Sequence, residues 1–216
     1  MSGESERVAE APLKPGEEWA NALTHGLAAL SALIAGGYMV RAAASSGTAL
    51  VIACLVYAGC VFGTFLFSSL SHAIHRQPML NTLRAWDQAM IYTMIAGTYT
   101  PIAVVYATES SRAPLLAALW IAAGTGFARK VAMKHRVNTM QPLSYLMLGW
   151  LPVIPLFRHV PTPLLWSMGI GGVLYTVGVA FLMNDGRMRY MHAVWHLFVI
   201  LAAVCHFAGI MWYVVL

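Results

Sequence analysis

The chain has 216 residues, of which 59% are hydrophobic and only 10% charged, with a formal net charge of +5. Soluble domains carry about 25% charged residues, so an ordinary soluble globule is excluded, in keeping with a mean hydropathy of +0.68. The charges fall in short stretches between long apolar runs, so the positive excess reads as a determinant of membrane orientation. It is not a nucleic-acid footprint, and no nucleic-acid partner is expected.

Residues 1–17 are polar, with Glu4, Glu6, Glu10 and Glu17 among them, and are read as a mobile tail. No short apolar core precedes the first long segment, so no cleavable signal peptide is expected. Residues 18–216 form one transmembrane domain. A spanning helix needs about 20 mostly apolar residues, and seven segments qualify: 19–42, 48–74, 86–107, 113–131, 142–158, 162–184 and 190–215. The fold class is therefore an all-α membrane protein, a seven-helix transmembrane bundle.

The first segment carries Asn21 and His25 on one face near its start, suited either to a polar cavity or to interhelical hydrogen bonding. The second holds Cys54 and Cys60 and ends in Ser68-x3-His72, with His75 and Arg76 just beyond. No Cys-x-x-Cys pair exists, so the three cysteines read as small core side chains. The third opens on Trp86-Asp87 and contains Gly97-Thr98-Tyr99-Thr100-Pro101, read as a helix interruption whose hydroxyls satisfy freed backbone groups. The fourth is interrupted by Gly124 and Gly126 and ends in Arg129 and Lys130. The fifth carries Pro152 and Pro155 and is expected to kink. The seventh opens on His192-x3-His196, with His206 ten residues further on.

Seven spans put the termini on opposite sides. The tail and the loops on its side carry Arg7, Lys14, Arg76, Arg84, Arg129, Lys130, Lys134, Arg136, Arg187 and Arg189; the other side carries Arg41, Arg112 and Arg158. Ten against three places the N-terminus in the cytoplasm and the C-terminus outside. His72, Asp87 and His192, far apart in sequence, then share one depth at the cytoplasmic end.

Ionisable groups inside a bilayer are costly and usually face a bundle interior with a job to do. Residues four apart share a helix face, so Ser68 pairs with His72, and His192 with His196. Two or three histidines with a carboxylate and a hydroxyl at one depth look like a transition-metal site, for which zinc is the default. Each element has a plainer reading. A single H-x-x-x-H beside Trp195 suits an interfacial belt, Ser68 can bond to its own backbone, and an aspartate at a helix start is favoured by the dipole alone. The matching depth argues for the metal site. Ser69 and Ser71 are assigned to packing, and His75 to the solvated interface. His206 lies about 15 Å deeper than His196 and cannot join the same ion.

Ser68-x3-His72, Asp87, Ile95-Ala96-Gly97-Thr98-Tyr99-Thr100-Pro101 and His192-Ala-Val-Trp-His196-Leu-Phe together resemble the hemolysin III branch of the progestin and adipoQ receptor family. Glu18-x2-Asn21-x2-Thr24-His25-Gly26, Tyr175-x2-Gly178 and Tyr190-x-His192 fit the same pattern, and the resemblance covers roughly residues 17–210. Gln88 departs from it, standing where a histidine is expected after the aspartate. The resemblance implies a seven-helix bundle with zinc at the cytoplasmic side. It implies His72, His192 and His196 as the zinc ligands, with Ser68 and Asp87 as polar partners of the zinc's water. The wider superfamily includes alkaline ceramidases, amide hydrolases of similar design. The hemolysin label is a historical name, and nothing in the chain points to a pore-forming toxin.

Two functions of different class follow. The first is a zinc-dependent hydrolase of lipid amide or ester bonds, with Asp87 as base and proton shuttle and Ser68 as hydrogen-bond donor. Its ligand would be a membrane lipid or fatty acyl chain, and its place a bacterial cytoplasmic (inner) membrane, crossed several times. The second is a non-catalytic membrane sensor in which zinc is a structural clamp. A bis-histidine haem protein is a third reading, which the absence of a haem absorbance band would remove.

The orientation is directly testable. A reporter fused after Leu216 is expected to behave as external; an intracellular signal there would mean an even number of spans.

Overall fold

In the computed structural model, residues 15–132, 141–185 and 187–216 are described, and among them all regular structure is helical. The helices are α1 (Pro15–Ala43), α2 (Thr48–Ala73), α3 (Met79–Tyr106), α4 (Glu109–Ala132), α5 (Gln141–Trp150), the single turn α6 (Val153–Leu156), α7 (Thr162–Leu182) and α8 (Met191–Ile210). One wider, π-type turn, Met211–Val215, continues α8 to the end of the chain. Counting α5 and α6 as one bent segment gives the seven-helix membrane fold. Six of the seven are long and apolar enough to cross a membrane, whereas Pro142–Leu156 is shorter. The expected kink falls there: α5 stops at Trp150 and Leu151-Pro152 breaks the chain before α6. Most of the expected tail, residues 1–14, lies outside the described residues; Pro15 to Glu17 already belong to α1.

Two boundaries differ from expectation. The third helix starts at Met79 instead of Trp86, so Asp87 stands about two turns inside α3. The expected interruption at Gly97–Pro101 does not occur either, because α3 runs through it. The Thr98 hydroxyl donates to Met94 O and that of Thr100 to Ala96 O, both at 2.8 Å, so these hydroxyls are satisfied within α3; Pro101 removes only the bond to Gly97 O, and the helix stays continuous. Similarly, α4 passes Gly124 and Gly126 unbroken.

Consecutive helices pack side by side, α1 on α2, α2 on α3, α3 on α4 and α7 on α8, and α1 also touches α8. The helices are apolar all round, as lipid-embedded helices are. On α1, Leu23, Leu27, Leu30 and Ile34 form an outward stripe, each more than half exposed; in water this would be an aggregation surface, and in a bilayer it is the lipid face. The interior therefore cannot be set by hydrophobicity alone and relies on close approach of small residues. Gly97 brings α3 against Cys60 and Tyr57 of α2, and Gly178 of α7 admits the Trp195 ring of α8. Because Trp195 lies between His192 and His196, the Gly178 notch fixes the rotation of α8 that presents both histidines inward.

A methyl group added at Gly178 would stand 2.8 Å from both Phe198 Cβ and Trp195 Cε3. We expect Gly178→Ala to destabilise the bundle by about 1–3 kcal/mol through overpacking. Gly124→Ala, which meets nothing within 4 Å, should be neutral or stabilising by up to about 1 kcal/mol. Thermal unfolding of the two variants in detergent measures the contrast.

Candidate metal centre

His72 is the next-to-last residue of α2, and His192 and His196 sit on the first turns of α8. Tyr190, in the left-handed region at φ 63°, turns the chain into α8. The ring centroids of His72 lie 5.0 Å from His192 and 5.2 Å from His196, and those two lie 4.7 Å apart. One nitrogen from each ring falls within 4.8 Å of one from each of the others. The three expected ligands are thus brought together, and this buried cluster could hold a metal ion.

The hydrogen bonds specify how. His72 Nδ1 lies 2.7 Å from Glu18 Oε2, and His192 Nδ1 lies 3.2 Å from Asp185 Oδ2. His196 Nδ1 lies 3.3 Å from Thr24 Oγ1. The Thr24 hydroxyl proton is directed to Ala20 O or Asn21 O, so Thr24 Oγ1 accepts from His196. All three rings therefore donate from Nδ1, and each neutral imidazole keeps its lone pair on Nε2. His72 Nε2 is buried without a hydrogen-bond partner. Leaving such an atom unsatisfied costs about 1–3 kcal/mol, and a cation among the three rings would satisfy it. Neutral imidazoles suit zinc, copper, iron or nickel, so the residues present fit a transition-metal ion.

Ser68 is only 2% exposed and lies one turn before His72. Asp87, being inside α3, is not held by a helix terminus; its Oδ2 accepts from Ser71 Oγ at 3.1 Å. Ser71, expected to serve packing, instead turns its hydroxyl to this carboxylate and to Ser68 O at 2.9 Å. It thereby joins α2 to α3 beside the cluster. Ser69 does pack, donating to Ala22 O of α1 at 2.8 Å. His75 is exposed, with its Nε2 2.9 Å from His72 O. Gln88 lends its carbonyl to Tyr145 OH at 2.8 Å.

His25 belongs beside the cluster and not within it. Its ring lies parallel to His196, centroids 3.6 Å apart at 9°, with its other contact the edge of Phe65. His206 stands apart, its Nε2 3.3 Å from Met168 O. A cavity of about 690 Å³ joins these places, lined by Ser68, Asp87 and the three histidines at one end and by Ile95, Met168, Val199 and His206 further in. It falls in the range of small-molecule sites. Glu18 could have been singled out from its place in the opening pattern, and Thr24 from the same stretch. Asp185 and Ser71 carried no signal, because their roles depend on how a loop and a helix-helix contact close.

Residues 14–207 match the family model described as haemolysin-III related. Hemolysin-3 of Bacillus cereus is 34% identical over 202 residues, 92% of each chain. The hemolysin-3 homolog of Bacillus subtilis is 30% identical over 203 residues, 92% of this chain and 95% of its own. The human monocyte to macrophage differentiation factor is 25% identical over 199 residues, 90% of this chain and 83% of its own. No solved structure matches the chain.

Elemental analysis tests the cluster. His72→Ala, His192→Ala and His196→Ala should each strongly reduce bound metal, whereas His206→Ala should leave it unchanged. Full metal content in His196→Ala would reject the site.

Proposed function

The chain belongs to the haemolysin-III related family of multi-pass membrane proteins, and from that premise we propose a zinc-dependent hydrolase of lipid amide or ester bonds. One observation carries the reading. Three imidazoles, each with one nitrogen within 4.8 Å of one on the others, share a single cavity with a buried hydroxyl, Ser68, and a carboxylate, Asp87. This is the donor set, acid-base group and hydrogen-bond donor that hydrolysis requires.

His72, His192 and His196 hold the ion. Zinc, when bound, supplies a Lewis acid for the carbonyl and makes a water molecule acidic near neutral pH. Asp87 accepts the proton of the attacking water and returns it to the departing amine or alcohol. Ser71, bonded to Asp87 Oδ2, fixes the carboxylate's aim. Ser68 donates to the carbonyl oxygen as negative charge develops there. The apolar part of the cavity takes the acyl chain and keeps bulk water away. The cluster lies at the end of the bundle where α2 stops and α8 begins, which the positive-inside count assigns to the cytoplasm. Bacterial relatives support a cytoplasmic (inner) membrane.

A second reading is a non-catalytic sensor or regulator. It is favoured by the way the cluster and its hydrogen bonds join α1, α2 and α8, as a structural clamp would. A site closed by four protein ligands would fit that role, and an open position fits chemistry.

Asp87→Asn separates the two. It keeps the shape of the side chain and removes the base. We expect it to retain zinc and lose at least about 100-fold in hydrolysis of a lipid amide or ester, as loss of a positioned general base does. A zinc-free, unstable Asp87→Asn would make the carboxylate structural. No turnover of a broad lipid panel by zinc-loaded wild type would favour regulation.

A further inference from the structure

Three neutral imidazoles carry no charge, so with Asp87 alone in the same cavity a divalent ion keeps an uncompensated positive charge. In a bilayer that is the costly part of holding a metal, because an unpaired buried charge has no water to screen it. The structure places two carboxylates directly behind the ligands. Glu18 reaches His72 from the first turn of α1, and Asp185 reaches His192 from the turn that follows α7. Neither stands among the converging nitrogens; each meets the far nitrogen of its ring.

We propose that Glu18 and Asp185 are positioning residues of the metal centre, Glu18 the stronger. The inference rests on the metal reading of the histidine cluster. Each carboxylate accepts the Nδ1 proton, fixes the tautomer that presents Nε2, makes that nitrogen a better donor, and supplies one negative charge. With Asp87, which lines the same cavity, they offset the charge of a divalent ion. The third ligand, His196, is oriented by neutral Thr24 and adds no charge. The ranking follows from distance and burial. Glu18 is 2.7 Å from its ring and 14% exposed, whereas Asp185 is 3.2 Å away and 49% exposed. An exposed pair is screened by water and contributes little.

Glu17 Oε1 lies 3.7 Å from Arg189 Nε, an exposed and weak pair that marks how near the start of α1 is to the turn before α8. A carboxylate placed only for packing would not need to be charged. That distinction sets the experiment.

Zinc affinity of the full-length protein in detergent is measured by competition with a chromophoric chelator, alongside unfolding of the metal-free protein. Glu18→Gln keeps the size and an acceptor oxygen and removes the charge. It should weaken zinc binding by roughly 10–100-fold with the metal-free unfolding midpoint unchanged, and Glu18→Asp should recover part of the loss. Asp185→Asn should weaken binding by less. X-ray absorption of zinc-loaded wild type should give three nitrogens and no carboxylate of Glu18. Affinity of Glu18→Gln within about twofold of wild type would overturn the proposal, as would a Glu18 oxygen bound to the metal. If Glu18→Gln does not fold, Glu18→Asp, which draws the carboxylate back from the His72 ring, decides in its place, and its unchanged affinity would refute the role of Glu18. Wild type that takes up no zinc would instead bring down the metal reading itself.

Discussion

The site depends on one requirement: each of its three imidazoles must be held from outside by a hydrogen bond, so that its other nitrogen can face its neighbours. Three rings meet where α2 ends and α8 begins, and each has one nitrogen taken by a partner outside the cluster. The remaining nitrogens converge. Local geometry follows from this need. α2 must stop just after His72, α8 must start just before His192, and α1 must bring Glu18 and Thr24 behind the rings. The left-handed Tyr190 lets the incoming chain turn tightly enough to do this, a conformation that costs about 1–3 kcal/mol for a residue with a side chain.

Elsewhere threonine hydroxyls are satisfied locally. The hydroxyls of Thr64, Thr98, Thr100 and Thr176 each bond to a carbonyl one turn back in their own helix. Three of them also meet another helix: Thr64 donates to Met90 O of α3, and Thr100 and Thr176 accept from the indoles of Trp120 and Trp150. Outward faces are apolar because lipid surrounds them, so shape, not hydrophobicity, sorts the helix neighbours. The glycine notches at Gly97 and Gly178 are where that sorting bears on function, since they set the approach of α3 to α2 and of α8 to α7.

Much of this was legible in the sequence. The spans, the kink at Pro152 and the three convergent histidines follow from apolar run length and from residues four apart on one face. Helix ends near the interface were not legible. Residues 79–85 mix Leu80 and Leu83 with Asn81 and Arg84, so hydropathy falls while the helix continues, and α3 was expected to start late. Gly97–Pro101 reads as a break because proline lacks a donor, yet α3 runs through it and gives up only the one bond to Gly97 O. Ser71 was assigned to packing because its partner, Asp87, is on another helix whose rotation no local pattern reveals. The carboxylate behind His192 is hidden for a similar reason: Asp185 lies in a turn, and turns position side chains by closure.

The three histidines also lie far apart in the order of synthesis. His72 is made early, and His192 and His196 belong to the last helix, with most of the chain emerging between them. Closing so long a loop carries an entropic cost, and nothing on α1 to α7 can complete the ligand set beforehand. The centre is therefore a property of the finished bundle. Until α8 has inserted and docked, His72 and Glu18 face an incomplete wall, and a chain cut short before residue 192 has only one of the three ligands. A metal held by these three rings would report that α8 has inserted and docked.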